Sequence, residues 1–141
     1  MRILLAEDDK DFRFILAEAL RDEGHTVTEC GTLRDGADAI LDQNFDVLAL
    51  DVFLEAETSF GIAHYASFAN PGCHIIFMTG SGRFAQAEVF QICTDTAYFF
   101  RKPLKILDFM SLIGHIEARM FKTGNCMPSH EAPLFYFGET A

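Results

Sequence analysis

Five short runs with the character of strands divide the first 122 residues: RILLA (2–6), HTVTEC (25–30), FDVLAL (45–50), CHIIFMT (73–79) and TAYFF (96–100). RILLA, FDVLAL, CHIIFMT and TAYFF are short and largely apolar, as strands buried on both faces of a parallel sheet are, whereas HTVTEC alternates as a strand of β-branched residues would. Between them the period changes. Phe12, Ile15, Leu16, Ala19 and Leu20 recur at helical spacing after Lys10, and Gly24 supplies a stop. Thr32 is placed to cap a second helix carrying Leu33, Ala37, Ile40 and Leu41. A loop beyond Asp51 leads to a short helix over 62–69, ended by Asn70-Pro71-Gly72. A further helix is expected over 83–93, and Pro103 is expected to open a last one reaching about Lys122. Strands alternating with helices imply an α/β fold: a doubly wound, flavodoxin-like five-stranded parallel sheet in the order 2-1-3-4-5, with helices on both faces.

In such sheets functional groups gather outside the carboxyl ends of the strands. The polar residues at the run ends are therefore informative. Glu7 and Asp8 follow the first, Asp51 the third, Thr79 closes the fourth, and Lys102 lies just past the fifth. A carboxylate such as Asp51 at the end of a buried run costs several kcal/mol or more if unpaired, so it needs a partner or an open strand end. Three carboxylates brought together repel unless a cation neutralises them, and an all-oxygen set suits Mg²⁺ with positions left for phosphate oxygens. Lys102 adds a point charge and Thr79 a hydroxyl. The set reads as a cradle for a transferring phosphoryl group, with a carboxylate nucleophile.

Four motifs in order, ILLAEDD, ALD at 49–51, IIFMTG at 75–80 and FFRKP at 99–103, resemble the receiver domain of two-component response regulators, in its chemotaxis-type stand-alone form. The resemblance covers residues 1–122. It implies that Asp51 accepts the phosphoryl group from a histidine kinase or histidine phosphotransfer protein. It further implies that Glu7, Asp8, Asp51 and the Phe53 carbonyl bind Mg²⁺, with Asp9 just outside the acidic pair. Thr79 and Lys102 would act with Asp51 in the transfer. Thr79 and Phe99 occupy the switch positions, Tyr98 being one place too early; Phe99 lacks a hydroxyl and would turn inward on packing alone. Such a protein is a signalling phosphoacceptor, with only self-catalysed transfer and dephosphorylation, that acts on a downstream protein target.

The chain departs from that pattern after Asp51. Where the family has Pro four residues on and Gly eight on, Glu55 and Ser59 stand here, with Gly61 two later. A pseudo-receiver that only docks is the alternative this altered loop keeps open. A phosphohydrolase of the haloacid-dehalogenase type expects a second Asp where Phe53 stands. A flavodoxin-like cofactor binder would find Glu7-Asp8-Asp9 repelling its phosphate.

Composition excludes further classes. With 11 Lys and Arg against 21 Asp and Glu, the formal charge of −10 leaves no basic surface for a nucleic-acid backbone. Four Cys without ligand spacing suggest neither a zinc site nor a disulfide framework, and the scattered His read as structural or surface groups. The apolar start is too short for a signal peptide and no segment suits a bilayer span, so a cytoplasmic protein is expected. Residues 123–141 are expected to form a tail without an output domain. Its apolar Leu134–Phe137 stretch, and a last helix apolar on more than one face, suggest a self-association or partner surface there.

Overall fold

The computed structural model describes residues 1–80 and 97–122; the helix expected over 83–93 and the tail from 123 lie outside them. In chain order the elements are β1 (Arg2–Ala6), α1 (Lys10–Asp22), β2 (Thr26–Cys30), α2 (Leu33–Asp42), β3 (Val47–Asp51), β4 (Phe53–Leu54), β5 (Glu57–Thr58), α3 (Phe60–Ala69), β6 (His74–Thr79), β7 (Ala97–Arg101) and α4 (Ile106–Lys122). Five strands form one sheet in the order β2-β1-β3-β6-β7, every pairing parallel. This is the doubly wound order expected, with β4 and β5 set apart from the sheet.

Alternation along the strands builds two cores. Leu4, Leu48, Leu50, Ile75, Phe77 and Phe99 face α2 and α3, while Ile3, Leu5, Ala49, Ile76, Met78 and Phe100 face α1 and α4. Both faces of β3 and β6 are buried throughout, which is why their sequences read as unbroken apolar runs. Phe109, Leu112, Ile113 and Ile116 of α4 join the second core, so most of that helix's apolar breadth is interior, leaving Leu107 and Phe121 exposed. Buried His74 is bonded through Nδ1 to the Tyr98 hydroxyl at 3.3 Å, a structural histidine.

Caps fix the helix starts beside the sheet edge. The Asp9 carboxylate accepts from the backbone N–H groups of Asp11 and Phe12 at 3.0 and 3.2 Å, so the third acid of Glu7-Asp8-Asp9 caps the start of α1. Thr32 Oγ1 accepts from the Asp35 N–H at 3.1 Å, the cap its sequence position announces. Gly24, at φ +91°, closes α1 in the left-handed region.

Two expectations are corrected. The segment after Asp51 is a hairpin, not an open loop: Phe53 pairs with Thr58 and Leu54 with Glu57 across Glu55-Ala56, and α3 begins at Phe60 rather than 62. Glu55 and Ala56 have φ of +50° and +68°, the paired positive values of a type I′ turn that Asn-Gly adopts more readily. A non-glycine residue in this region carries strain, so Ala56→Gly is expected to raise stability by about 1 kcal/mol. Chemical denaturation measures it, and an unchanged or lower midpoint would contradict the turn. The last helix starts at Ile106, not Pro103. The Lys102 N–H still donates to the Thr79 carbonyl at 2.8 Å, which extends the sheet ladder past β7, and a residue preceding proline favours extended backbone. The Lys102–Pro103 peptide is cis.

Among the described residues no helix is long and apolar enough to cross a membrane.

Candidate functional site

The carboxyl ends of β1, β3, β6 and β7 meet at one edge of the sheet, and each contributes a polar group. Glu7 follows β1 directly. Its N–H donates to the Cys30 carbonyl at 3.0 Å and its carbonyl accepts from Arg13 Nη1 at 2.8 Å, so the backbone is held from β2 and from α1. Gly31 makes room for that arginine: a Cβ there would stand 2.7 Å from Arg13 Nη1 and push it off the carbonyl. Asp51 is the last residue of β3, opposite Met78, and the next N–H, that of Val52, donates to the Met78 carbonyl at 2.8 Å. Thr79 ends β6, buried, beside Arg101 of β7.

Lys102 ties these ends together. Its Nζ donates to Glu7 Oε1 and Oε2 at 3.0 and 2.9 Å and to Asp51 Oδ2 at 2.9 Å. Asp51 Oδ1 accepts from the Phe53 N–H at 3.3 Å, which aims the carboxylate. The ammonium also lies 5.1 Å from the centre of the Phe12 ring, within cation–π range. Burial is uneven: the Glu7 side chain is 2% exposed, Asp51 10% and Lys102 23%. Asp8 is exposed at the rim. A groove of about 280 Å³, lined by Glu7, Asp9, Phe12, Lys102, Pro103 and Leu104, opens from this cluster to solvent.

The electrostatics stem from burial and crowding. Burial first, then the hydrogen bond and charge of Asp51, push the Glu7 carboxyl up to about 7, against the opposing pull of Lys102. For Lys102, burial works to lower the pKa, and the hydrogen bonds and charges of Asp51 and Glu7 outweigh it, leaving it raised. One cation thus serves two buried carboxylates, with Asp8 adding a third acid.

Glu7, Asp8 and Asp51 each offer an oxygen within 4.8 Å of the others. That all-oxygen set, and the upward pressure on Glu7 that Lys102 does not cancel, fit a hard divalent cation with partial hydration. The site residues read from the sequence therefore fall into three placements. Glu7, Asp8, Asp51 and Lys102 form one cluster, and Thr79 lies at an adjoining strand end. Phe53 is tied to Asp51 through its N–H, whereas Phe99 is packed in the core facing α2 and α3. Phe12 was not legible as part of the site, because its place in the apolar stripe of α1 is also that of a core residue.

The arrangement has relatives. The family model for the response regulator receiver domain matches residues 3–113. The response regulator receiver protein CpdR of Brucella abortus is 33% identical over 79 residues, 56% of this chain and 66% of CpdR. The transcriptional regulatory protein RprY of Bacteroides fragilis is 32% identical over 79 residues, 56% of this chain but 34% of RprY. Among solved structures, a CheY-like receiver domain protein from Methanospirillum hungatei superposes with a TM-score of 0.74 at 22% identity, covering 86% of this chain and 97% of that one. TrrA of Thermotoga maritima, solved in complex with Mg²⁺ and BeF, has a TM-score of 0.70 at 16% identity and covers 82% and 97%. These structural likenesses speak to the fold. With the sheet order, the acidic cluster and the match across most of its length, the chain belongs to the response regulator receiver domain family.

Proposed function

We propose that residues 1–122 form a receiver unit that takes a phosphoryl group onto Asp51 and that residues 123–141 are a tail. The observation that carries this reading is the Lys102 ammonium held at 2.9 Å from Asp51 Oδ2 and against both Glu7 oxygens, at the open end of an otherwise buried strand. Asp51 is the group whose oxygen forms the new bond to phosphorus. The bond from phosphorus to the donor, a phosphohistidine nitrogen of a kinase or phosphotransfer protein or the oxygen of a small acyl phosphate, breaks with its electron pair leaving on the donor. Lys102 is pre-positioned to exchange a carboxylate oxygen for a phosphoryl oxygen, and the Thr79 hydroxyl to donate to another. Phe99, behind that strand end, is the group whose packing changes in the switched state, read by a downstream protein target. The setting is cytoplasmic.

Glu7, Asp8, Asp51 and the Phe53 carbonyl are the groups that would hold a Mg²⁺ ion, whose chemistry when bound is to neutralise charge on phosphoryl oxygens. The complex of TrrA with Mg²⁺ and BeF supports this assignment by likeness of fold. The protein turns over no separate substrate in this role; hydrolysis of its own acyl phosphate resets it.

Incubation with a small acyl phosphate and Mg²⁺, followed by intact mass measurement, tests the proposal. Wild type is expected to gain one phosphoryl group, and Asp51→Asn or added chelator to prevent the gain. No gain in wild type, or equal gain in Asp51→Asn, would sink it in favour of a docking module.

A further inference from the structure

We propose that the groove between α2 and α3 is a docking surface for an amphipathic helical segment of a partner protein, apolar on one face and carrying Lys or Arg on its flanks. The groove has a volume of about 280 Å³ and is walled by Ala37, Ile40 and Leu41 of α2 and Gly61, Ile62 and Tyr65 of α3. Its apolar surface is open to water. Leu41 is 70% exposed and Tyr65 46%, and Phe68, one turn beyond Tyr65 on α3, is 84% exposed. A side chain at Gly61 would meet nothing within 4 Å, so the wall is recessed where a knob could enter. Leu41 and Tyr65 in the groove and Phe68 beside it present on the order of 400 Å² together, the size of the largest apolar patch on an ordinary monomer, which is often a functional one.

Charge decides which occupant fits. In a chain carrying 11 Lys and Arg and 21 Asp and Glu, α3 has none of these four, and its His64 is not among the groove's lining residues, so the groove offers no ion-pair partner within it. Its outer α2 side is acidic: Asp35, Asp38 and Asp42 lie there against Arg34 alone, and the Asp38–Asp42 row runs beside the Ala37–Leu41 row. A second copy would bring the same acidic margin and the same formal charge of −10 towards it. A helix laying apolar anchors at i, i+3, i+4 and i+7 into the groove, with basic flanks over the Asp row, meets both demands.

The test titrates the full chain against a labelled amphipathic peptide of about four turns, with Leu and Phe anchors and Lys flanks, and against its twin with Glu flanks. At low salt the Lys peptide is expected to bind saturably and at least about tenfold more tightly than the Glu peptide, and to weaken as salt rises. Leu41→Ser with Phe68→Ser is expected to cut its affinity about tenfold. Asp38→Lys with Asp42→Lys, at positions outside both core clusters, is expected to transfer the preference to the Glu peptide. Absence of binding, equal binding of the two peptides, or a preference unmoved by the charge swap overturns the proposal. So does sedimentation showing a wild-type dimer that dissociates in the Ser variant, which would make a second copy the occupant. Binding that appears only after residues 124–141 are removed would assign the groove to the chain's own tail and overturn it too.

Discussion

Lys102→Met is expected to disable the site and to destabilise the metal-free fold together. Among the described residues the lysine is the one cation in contact with both Glu7 and Asp51, whose side chains are 2% and 10% exposed. Removing it leaves two carboxylates facing each other in a poorly hydrated place. Breaking a buried pair in this way costs about 3–5 kcal/mol, and the access of water to Asp51 and the lysine tip reduces this to about 2–3 kcal/mol at pH 8. In the role proposed for Lys102 the same change also removes a donor to the phosphoryl oxygen, a loss expected to slow transfer by about 10²–10³-fold. Denaturant titration in chelator reads the first effect, and the rate of mass gain from a small acyl phosphate reads the second. Mg²⁺ is expected to recover more stability in the variant than in wild type, because the cluster it meets is more negative. A variant that is phosphorylated at the wild-type rate would contradict the assignment of Lys102.

Glu7→Gln is expected to act in the opposite direction on the metal-free protein. Burial, then the proximity of Asp51, raise the Glu7 carboxyl from its ordinary 4.5 to about 7 against the pull of Lys102. The folded state therefore binds this proton more tightly than the unfolded chain does. The contribution is fully present below about 4.5 and is lost as pH rises through about 7, so wild type in chelator loses stability from this group between pH 5 and pH 8. Gln carries no titrating proton. Its thermal midpoint is expected to vary less over that range and, at pH 8, to equal or exceed that of wild type, while the stabilisation gained on adding Mg²⁺ shrinks. Thermal melts across the range, with chelator and with Mg²⁺, measure both. A variant whose midpoint falls between pH 5 and pH 8 as steeply as wild type would show that Glu7 is not the group responsible.

The sheet and the cluster were readable in the sequence for a common physical reason. Parallel strands covered on both faces must be apolar throughout, so β3 and β6 stand out as runs, and the polar residue at the end of each marks the solvent edge. Glu7, Asp51 and Lys102 are far apart in sequence, and only the parallel direction of their strands brings them to one edge. The hairpin escaped because Glu55 and Ala56 give no turn signal: they occupy a conformation that other residues hold at less cost, and the pairing of four flanking residues sustains it. The start of α4 was misplaced because a proline marks a helix start only when the preceding backbone has left the sheet, and the Lys102 N–H remains bonded to Thr79. Ser59, standing where the family has glycine, is fully buried at the N-terminus of α3, its hydroxyl without a partner among the described residues. No composition or spacing argument foretells a group left in that state.

That Asp51 is the phosphoacceptor is tested most directly by locating the adduct. After reaction with a small acyl phosphate and Mg²⁺, borohydride reduces an aspartyl phosphate to homoserine, and peptide mass mapping then places the modified residue. The expected result is conversion at Asp51 alone, dependent on the phosphodonor and absent from Asp51→Asn. Conversion at Asp8 or Asp9, or phosphorylated protein with no reducible acyl phosphate, would contradict the account.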